Sequence, residues 1–165
     1  MNRTRAVIVV FIGLVVLSPL AGETIAVAVR ERSEHEQSAA LAARTEQGAM
    51  DRFFSAGHIV FGLDIDPLDE VYTCRAIDRA RDGGAGFVVV LELSSAGVSE
   101  RELVPDAVGV AVVDARTEEE LAQGAFRSED LESIDELTPQ TIADRLGVLA
   151  AERALETIAG DTDAW

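Results

Sequence analysis

The chain has 165 residues, 48% of them hydrophobic but only 5% aromatic, and sets 30 acidic residues against 14 basic ones for a formal net charge of −16. That balance argues against a nucleic-acid binder or a protein held to anionic lipid by charge, because both need a basic patch that scattered cations do not supply. It is also too apolar for a disordered acidic chain.

All 14 cations are arginine, and lysine is absent. A GC-rich genome accounts for the arginine but not for the acid excess. The excess fits a halophilic, salt-adapted protein, because in concentrated salt the Debye length falls to roughly 3 Å and acidic surfaces stop repelling. Cys74 is the lone cysteine, so no internal disulfide can form. It falls in a predicted helix and is expected to pack as a small apolar side chain.

Arg3 and Arg5 precede an unbroken apolar run from Ala6 to Leu17, which continues with small breaks to Gly22. A basic start followed by such a run is an export leader. Two readings of its end stand. Val7 to Val29 is one apolar helix of 23 residues, long enough to cross a bilayer as an uncleaved anchor. Alternatively Ala26-Val27-Ala28 is a small-residue cleavage site and the mature chain begins at Val29. The anchor is preferred. Both readings hold the N-terminus inside and place the remainder outside the cytoplasm.

Residues 30–50 are rich in Glu, Gln, Ala and Arg, with Leu41 as the one large aliphatic before Gly48. This predicts a helical stalk with a weak packing face, ended by Gly48. A domain is expected over 51–160, with 161–165 as a frayed tail.

Within that domain His58 to Asp64 reads as a largely buried strand. Asp66 and Pro67 then cap and open a helix to about Asp82, ended by Gly83 and Gly84. Phe87 to Leu93 is a continuous apolar strand, as expected where both sheet faces are covered. Strand, helix, strand predicts a parallel crossover unit. Ala107 to Val113 supplies a third strand. Thr117 with Glu120 suggests a capped short helix ending near Gly124, and Ser128 a second one carrying Leu131, Ile134 and Leu137. Thr138-Pro139 starts the last helix, Gln140 to Ala159. The expected class is therefore α/β: a small three- to four-stranded, mostly parallel sheet with flanking helices, preceded by an N-terminal hydrophobic helix.

Sites in open parallel sheets form outside the carboxyl ends of the strands. Asp64 and Asp66 follow the first predicted strand, Glu92 lies in the second and Asp114 follows the third. Converging there, these four carboxylates would make a Mg²⁺ or Ca²⁺ site, although acids are frequent enough in this chain to reach strand ends by chance. The two histidines, His35 and His58, are too isolated to suggest zinc.

The segment Phe61 to Leu68 loosely resembles the first motif of haloacid-dehalogenase-like phosphatases, which would make Asp64 the nucleophile and Asp66 the general acid. That family carries threonine where Pro67-Leu68 stands and requires a basic residue, usually lysine, that is lacking here, so active membership is not expected. The leader and the strand Gly86 to Leu93 loosely resemble membrane-anchored serine proteases of the ClpP-like fold. The turn Ser94-Ser95-Ala96-Gly97 lacks the paired glycines of their oxyanion hole.

No complete catalytic constellation emerges. The expected function is a membrane-tethered extracytoplasmic domain acting through protein contacts in an envelope or surface assembly, held to the membrane by its N-terminal helix. A divalent-metal-dependent exported enzyme using the four acids, or a secreted ligand-binding module, are the alternatives.

Overall fold

A computed structural model describes residues 22–31, 37–66, 69–99, 102–131 and 137–160. In chain order the elements are β1 (Thr24–Glu31), α1 (Ser38–Ser55), β2 (Ile59–Gly62), α2 (Tyr72–Asp82), β3 (Phe87–Ser99), β4 (Glu102–Asp114), β5 (Glu120–Arg127), a 3₁₀ turn (Ser128–Asp130) and α3 (Pro139–Ile158). The strands form one five-stranded sheet in the order β2-β1-β3-β4-β5. β1 pairs parallel with both β2 and β3, whereas β3–β4 and β4–β5 are antiparallel. The sheet is thus mixed and five-stranded, where the sequence predicted three or four mostly parallel strands.

Two crossovers start this architecture. From β1 the chain steps to one side through α1, then returns across β1 through α2 to β3. Because both connections keep the same hand, the two helices land on opposite faces. Alternation along the strands follows. Ile25, Val27, Val89, Leu91, Val108, Val110 and Val112 pack under α1 and α3 with Leu41, Phe53, Ile142 and Leu146. Ala26, Ala28, Val88 and Val90 pack under α2 with Tyr72, Ala76, Ile77 and Ala80.

The structure moves the domain boundary. Thr24–Glu31 is neither leader nor linker but an interior strand, and Ile25 through Ala28 are fully buried. Cleavage at Ala26-Val27-Ala28 would remove half of the strand that joins the two parallel pairs. The expectation of a leader over 1–29 is corrected accordingly, and the expected hydrophobic helix falls largely on residues 1–21, outside the described residues. The apolar run carries on into the strand because its residues are buried on both faces, and burial in a sheet demands the same composition as burial in lipid.

The stalk over 30–50 is likewise corrected. α1 belongs to the domain and buries Leu41, Thr45, Gly48, Ala49 and Phe53 along one face. Gly48 does not end this helix. It lies mid-helix, where a Cβ would overlap the Asp144 carbonyl oxygen of α3, while a Cβ at Gly147 would overlap that of Thr45. Paired small residues therefore set how closely α1 and α3 approach, and Arg52 closes the contact through a 3.1 Å ion pair with Glu152.

Three further expectations change. Thr117 to Gly124 is not helical: Asp114 closes a turn there, and Glu120–Arg127 pairs with β4 as an edge strand. The short helix at Ser128 is a single 3₁₀ turn, and Ile134 lies outside the described residues. Cys74 is exposed on α2 rather than packed. α3 matches its expected span and is capped as expected, Thr141 N donating to Thr138 Oγ1 at 3.2 Å. The expected frayed tail, 161–165, lies outside the described residues.

Two outcomes test this packing. A chain beginning at Gly22 is expected to fold, whereas one beginning at Val29 loses cooperative unfolding, as followed by circular dichroism in high salt. Gly147→Ala gains about 1 kcal/mol of helix propensity but forces two backbones apart, which costs about 1–3 kcal/mol. We expect net destabilisation, visible as a lower urea midpoint with unchanged slope.

Candidate functional site

In an open sheet the usual crevice lies outside the carboxyl ends of two adjacent parallel strands whose connections leave to opposite faces. Here those strands are β1, which leads to α1, and β2, which leads to α2. The side chains around this point are Arg30 of β1, Glu46 of α1, Asp64 after β2, and Asp69 with Tyr72 at the start of α2.

Tyr72 holds the centre. It is 1% exposed, and its hydroxyl donates to the Val29 carbonyl at 2.8 Å. The Arg30 guanidinium stacks over its ring, 5.3 Å from the centroid, and also donates to the Asp69 carbonyl at 3.3 Å. Asp69 turns the chain into α2: Oδ1 accepts from Val71 N at 3.0 Å and Oδ2 pairs with Arg75 Nε at 2.5 Å. That is the task the sequence assigned to Asp66, whose backbone carbonyl instead accepts from Asp69 N. Pro67 and Leu68 lie outside the described residues, and α2 begins at Tyr72.

The electrostatics follow from burial. Glu46 has its carboxyl pushed above the usual range, first by desolvation and then by the nearby Asp64 charge. The Tyr72 phenol is pushed up to about 12, by burial and by Glu46, with Arg30 pulling the other way. A phenol so held remains protonated at any physiological pH and serves as a donor to the β1 backbone, not as a base. The group works as a latch fastening α2 across the end of β1.

The four predicted metal ligands are not brought together. Asp64 sits beside this latch, and its backbone carbonyl accepts from the Arg79 guanidinium. Asp66 is exposed two residues further on. Glu92 is itself exposed, on the α2 face of β3 beyond Val88 and Val90, in register with Arg30 and Gly109. Asp114 pairs with Phe87, five positions before Glu92, so it lies roughly 16 Å further down the sheet, at the amino ends of the parallel strands. The sequence reading placed Asp114 with the others because it took β4 as parallel; β4 is antiparallel, and its carboxyl end is at the opposite edge. Among the described residues no group of three His, Cys, Asp or Glu side chains is placed to hold a metal ion.

Asp114 has a different job. Its Oδ1 accepts from Arg116 N at 2.8 Å and Thr117 N at 2.9 Å, which turns β4 into β5. These backbone donors, Thr117 first, hold its carboxyl below the usual carboxylate range. Arg81 of α2 secures the same turn, donating to the Ala115 carbonyl at 3.1 Å and to Glu118 Oε1 at 2.6 Å. A shallow depression of about 500 Å³ opens beside it, lined by residues including Glu23, Thr24, Gly86, Asp114 and Arg116.

Sequence reasoning missed Arg30, Glu46 and Tyr72 as a group because it assigned the first two to a stalk. A signal was present: Leu41, Thr45, Gly48, Ala49 and Phe53 recur at helical spacing, a packing face made inconspicuous by its small residues.

With this geometry in hand, comparison with known proteins is informative about fold. A family model described as "Uncharacterised protein" matches residues 24–159. The chain belongs to that family. Its matched region opens on the first residue of β1 and closes one residue beyond α3. No curated protein matches the sequence significantly. Among solved structures, the PelC dodecamer of Paraburkholderia phytofirmans is similar at TM-score 0.53 and 15% identity, covering 78% of this chain and 84% of that one. TolB of Acinetobacter baumannii gives TM-score 0.49 at 13% identity over 84% of this chain and 29% of its own. Lipoprotein GNA1162 of Neisseria meningitidis gives 0.47 at 17% identity, covering 83% and 96%. Of the three, the PelC likeness supports a common fold, and at that identity nothing further.

Titration checks the latch. The folded phenol of Tyr72 binds its proton more tightly than the unfolded one, whose value is 10. The stabilisation is complete below pH 10 and is lost as pH rises towards 12, by up to about 2 kcal/mol. Tyr72→Phe should abolish that alkaline slope and cost about 1 kcal/mol at neutral pH, as read from urea unfolding at a series of pH values.

Proposed function

We propose that this chain is a membrane-tethered extracytoplasmic α/β module that acts through protein contacts in an envelope or surface assembly. The observation that carries the reading is the junction between the apolar leader and the sheet. The run that ends at Gly22 gives way, two residues later, to the buried interior strand β1. Arg3 and Arg5 at the start of that run favour an orientation with the domain outside the cytoplasm. Among the described residues no helix is long and apolar enough to cross a membrane. The tether in this reading is therefore the segment before Gly22, retained as an anchor.

The sheet offers a surface for contacts. α2 packs over β1 and β3, while the same face of β4 and β5 presents Ala107, Gly109, Ala111, Gln123, Ala125 and Arg127, none of them buried. Small side chains leave this face flat and its backbone close to the surface. Among the described residues the outer edge of β5 has no neighbouring strand, and such an edge is a template for strand pairing. The structurally similar PelC is a dodecamer, so further copies of this chain are one class of partner to test.

Fractionation and crosslinking test the reading together. The full chain, expressed in a salt-adapted host, should remain in the membrane fraction after a high-salt wash and be digestible by protease added outside the cell. A photo-crosslinking residue at Ala125 should form adducts with another protein or a second copy, and one at Glu156 on the outer side of α3 should not. A full-length chain with its leader intact in the cytosol, or equal yields from both positions, overturns the proposal.

A further inference from the structure

We propose that the amino end of the sheet is a membrane-contact foot, in which Phe54 and Ile59 enter the lipid interface beside the point where the leader joins the domain. This rests on the tethered reading above. Among the described residues the exposed large hydrophobics are Phe54 (75%), Ile59 (64%) and Val71 (51%). Two of these three fall at the same end of the sheet, Phe54 on the last turn of α1 and Ile59 at the start of β2, where its register with Thr24 turns its side chain to the α2 face. Ile59 N donates to the Glu23 carbonyl at 3.1 Å, and Ile59 is in register with Thr24. Gly57 N donates to the Phe54 carbonyl at 2.9 Å, and Gly22 packs so closely on Gly57 that a Cβ would overlap its carbonyl oxygen. The turn that carries both side chains is thus in contact with the first residue after the apolar leader.

The length of the connection fixes the distance to lipid. The unbroken apolar run ends at Leu17, five residues before Gly22. Even fully extended, five residues span at most roughly 18 Å, and the intervening residues are themselves largely apolar. A leader embedded in the bilayer therefore keeps the Phe54–Ile59 turn within that reach of the hydrocarbon, and the proposal seats it at the interface. Apolar side chains at that depth gain from leaving water, as in interfacial anchors generally.

Two other occupants fit less well. Residues 6–17 have no polar stripe, so folding them back onto two side chains set on opposite faces of the sheet would leave most of their surface in water. A second copy meeting through the same patch would bury far less than the ~1,000 Å² of a stable interface, on a chain of net charge −16. The acids near the foot, Glu23 and Asp51 among them, oppose anionic lipid at low salt, so the contact is one of apolar insertion.

The test uses the full chain carrying Cys74→Ser, reconstituted into phosphatidylcholine vesicles in concentrated salt. Phe54→Cys, Ile59→Cys, Val71→Cys and Glu92→Cys are each labelled with nitrobenzoxadiazole, with circular dichroism confirming that every variant folds. Labels at 54 and 59 should shift to the blue and be quenched by spin-labelled acyl chains at least about threefold more strongly than those at 71 and 92. If the protein floats with the vesicles but all four labels quench alike, the foot is wrong and the tether stands. A protein that fails to float refutes the tether, and the foot with it. A blue shift at 54 and 59 without lipid quenching means that protein, not lipid, covers the patch, which also overturns the proposal.

Discussion

Everything in this fold depends on β1 being held on both sides. It pairs with β2 over Thr24 to Val27 and with β3 over Ile25 to Glu31, while Leu41 and Phe53 close over one of its faces and Tyr72 and Ala76 over the other. In that position Ile25 to Ala28 have no solvent face and are selected for burial, while Thr24, Val29 and Arg30 are half-buried towards the strand's ends. The consequences spread outward. The two crossovers that leave β1 must put their helices on opposite faces, and the antiparallel β3–β4 hairpin then extends the sheet on the side away from β2. The latch at Tyr72 secures α2 to the β1 backbone itself, so the most constrained side chain in the crevice is committed to holding this strand in place.

The same constraint explains what the sequence revealed and what it concealed. Phe87 to Leu93 and Ala107 to Val113 were legible as apolar runs, though β3 continues to Ser99 and β4 starts at Glu102, and α3 was legible because Thr138-Pro139 is an unambiguous start. β1 was not legible. Ile25-Ala26-Val27-Ala28-Val29 follows an export-type leader with a gap of two residues, and lipid and protein interior select the same side chains. Once β1 was assigned to the membrane, α1 had no sheet to pack on and read as a stalk. One misplaced boundary therefore cost a strand, the place of α1 within the domain and the grouping of Arg30 and Glu46 with Tyr72.

The acid cluster failed for a related reason. Strand ends can be compared only when strand directions are known, and direction comes from topology rather than composition. The connection from Ser99 to Glu102 is too short for a parallel crossover, which needs a dozen or more residues, but in the sequence the gap between the two apolar runs, residues 94–106, was long enough for one and hid the hairpin. With β4 antiparallel, Asp114 belongs to the end of the sheet where β1 begins. There its two backbone donors, at Arg116 and Thr117, give it a structural role that accounts for its depressed pKa. In a chain with 30 acids, a carboxylate near a strand end needs such a geometric test before a cation is assigned to it.

The distribution of charge bears on how such a chain stays folded. Its core is built from Ala, Val, Ile and Leu with few aromatics, which keeps the helices close: α1 and α3 meet through Gly48, Gly147, Ala49 and Ala143 rather than through large side chains. Small residues pack densely but bury little area each, so the domain relies on close backbone approach more than on the size of its side chains. Ion pairs such as Arg52–Glu152, Arg81–Glu118 and Arg153–Glu156 are partly or largely exposed and contribute little individually. Arg52–Glu152 joins α1 to α3 and Arg81–Glu118 joins α2 to the β4–β5 turn, whereas Arg153–Glu156 lies within α3. Salt screens the remaining acids and leaves the apolar contacts intact or stronger. On this argument concentrated salt favours the folded domain twice over, by removing repulsion at its surface and by strengthening the burial of a core made of small pieces.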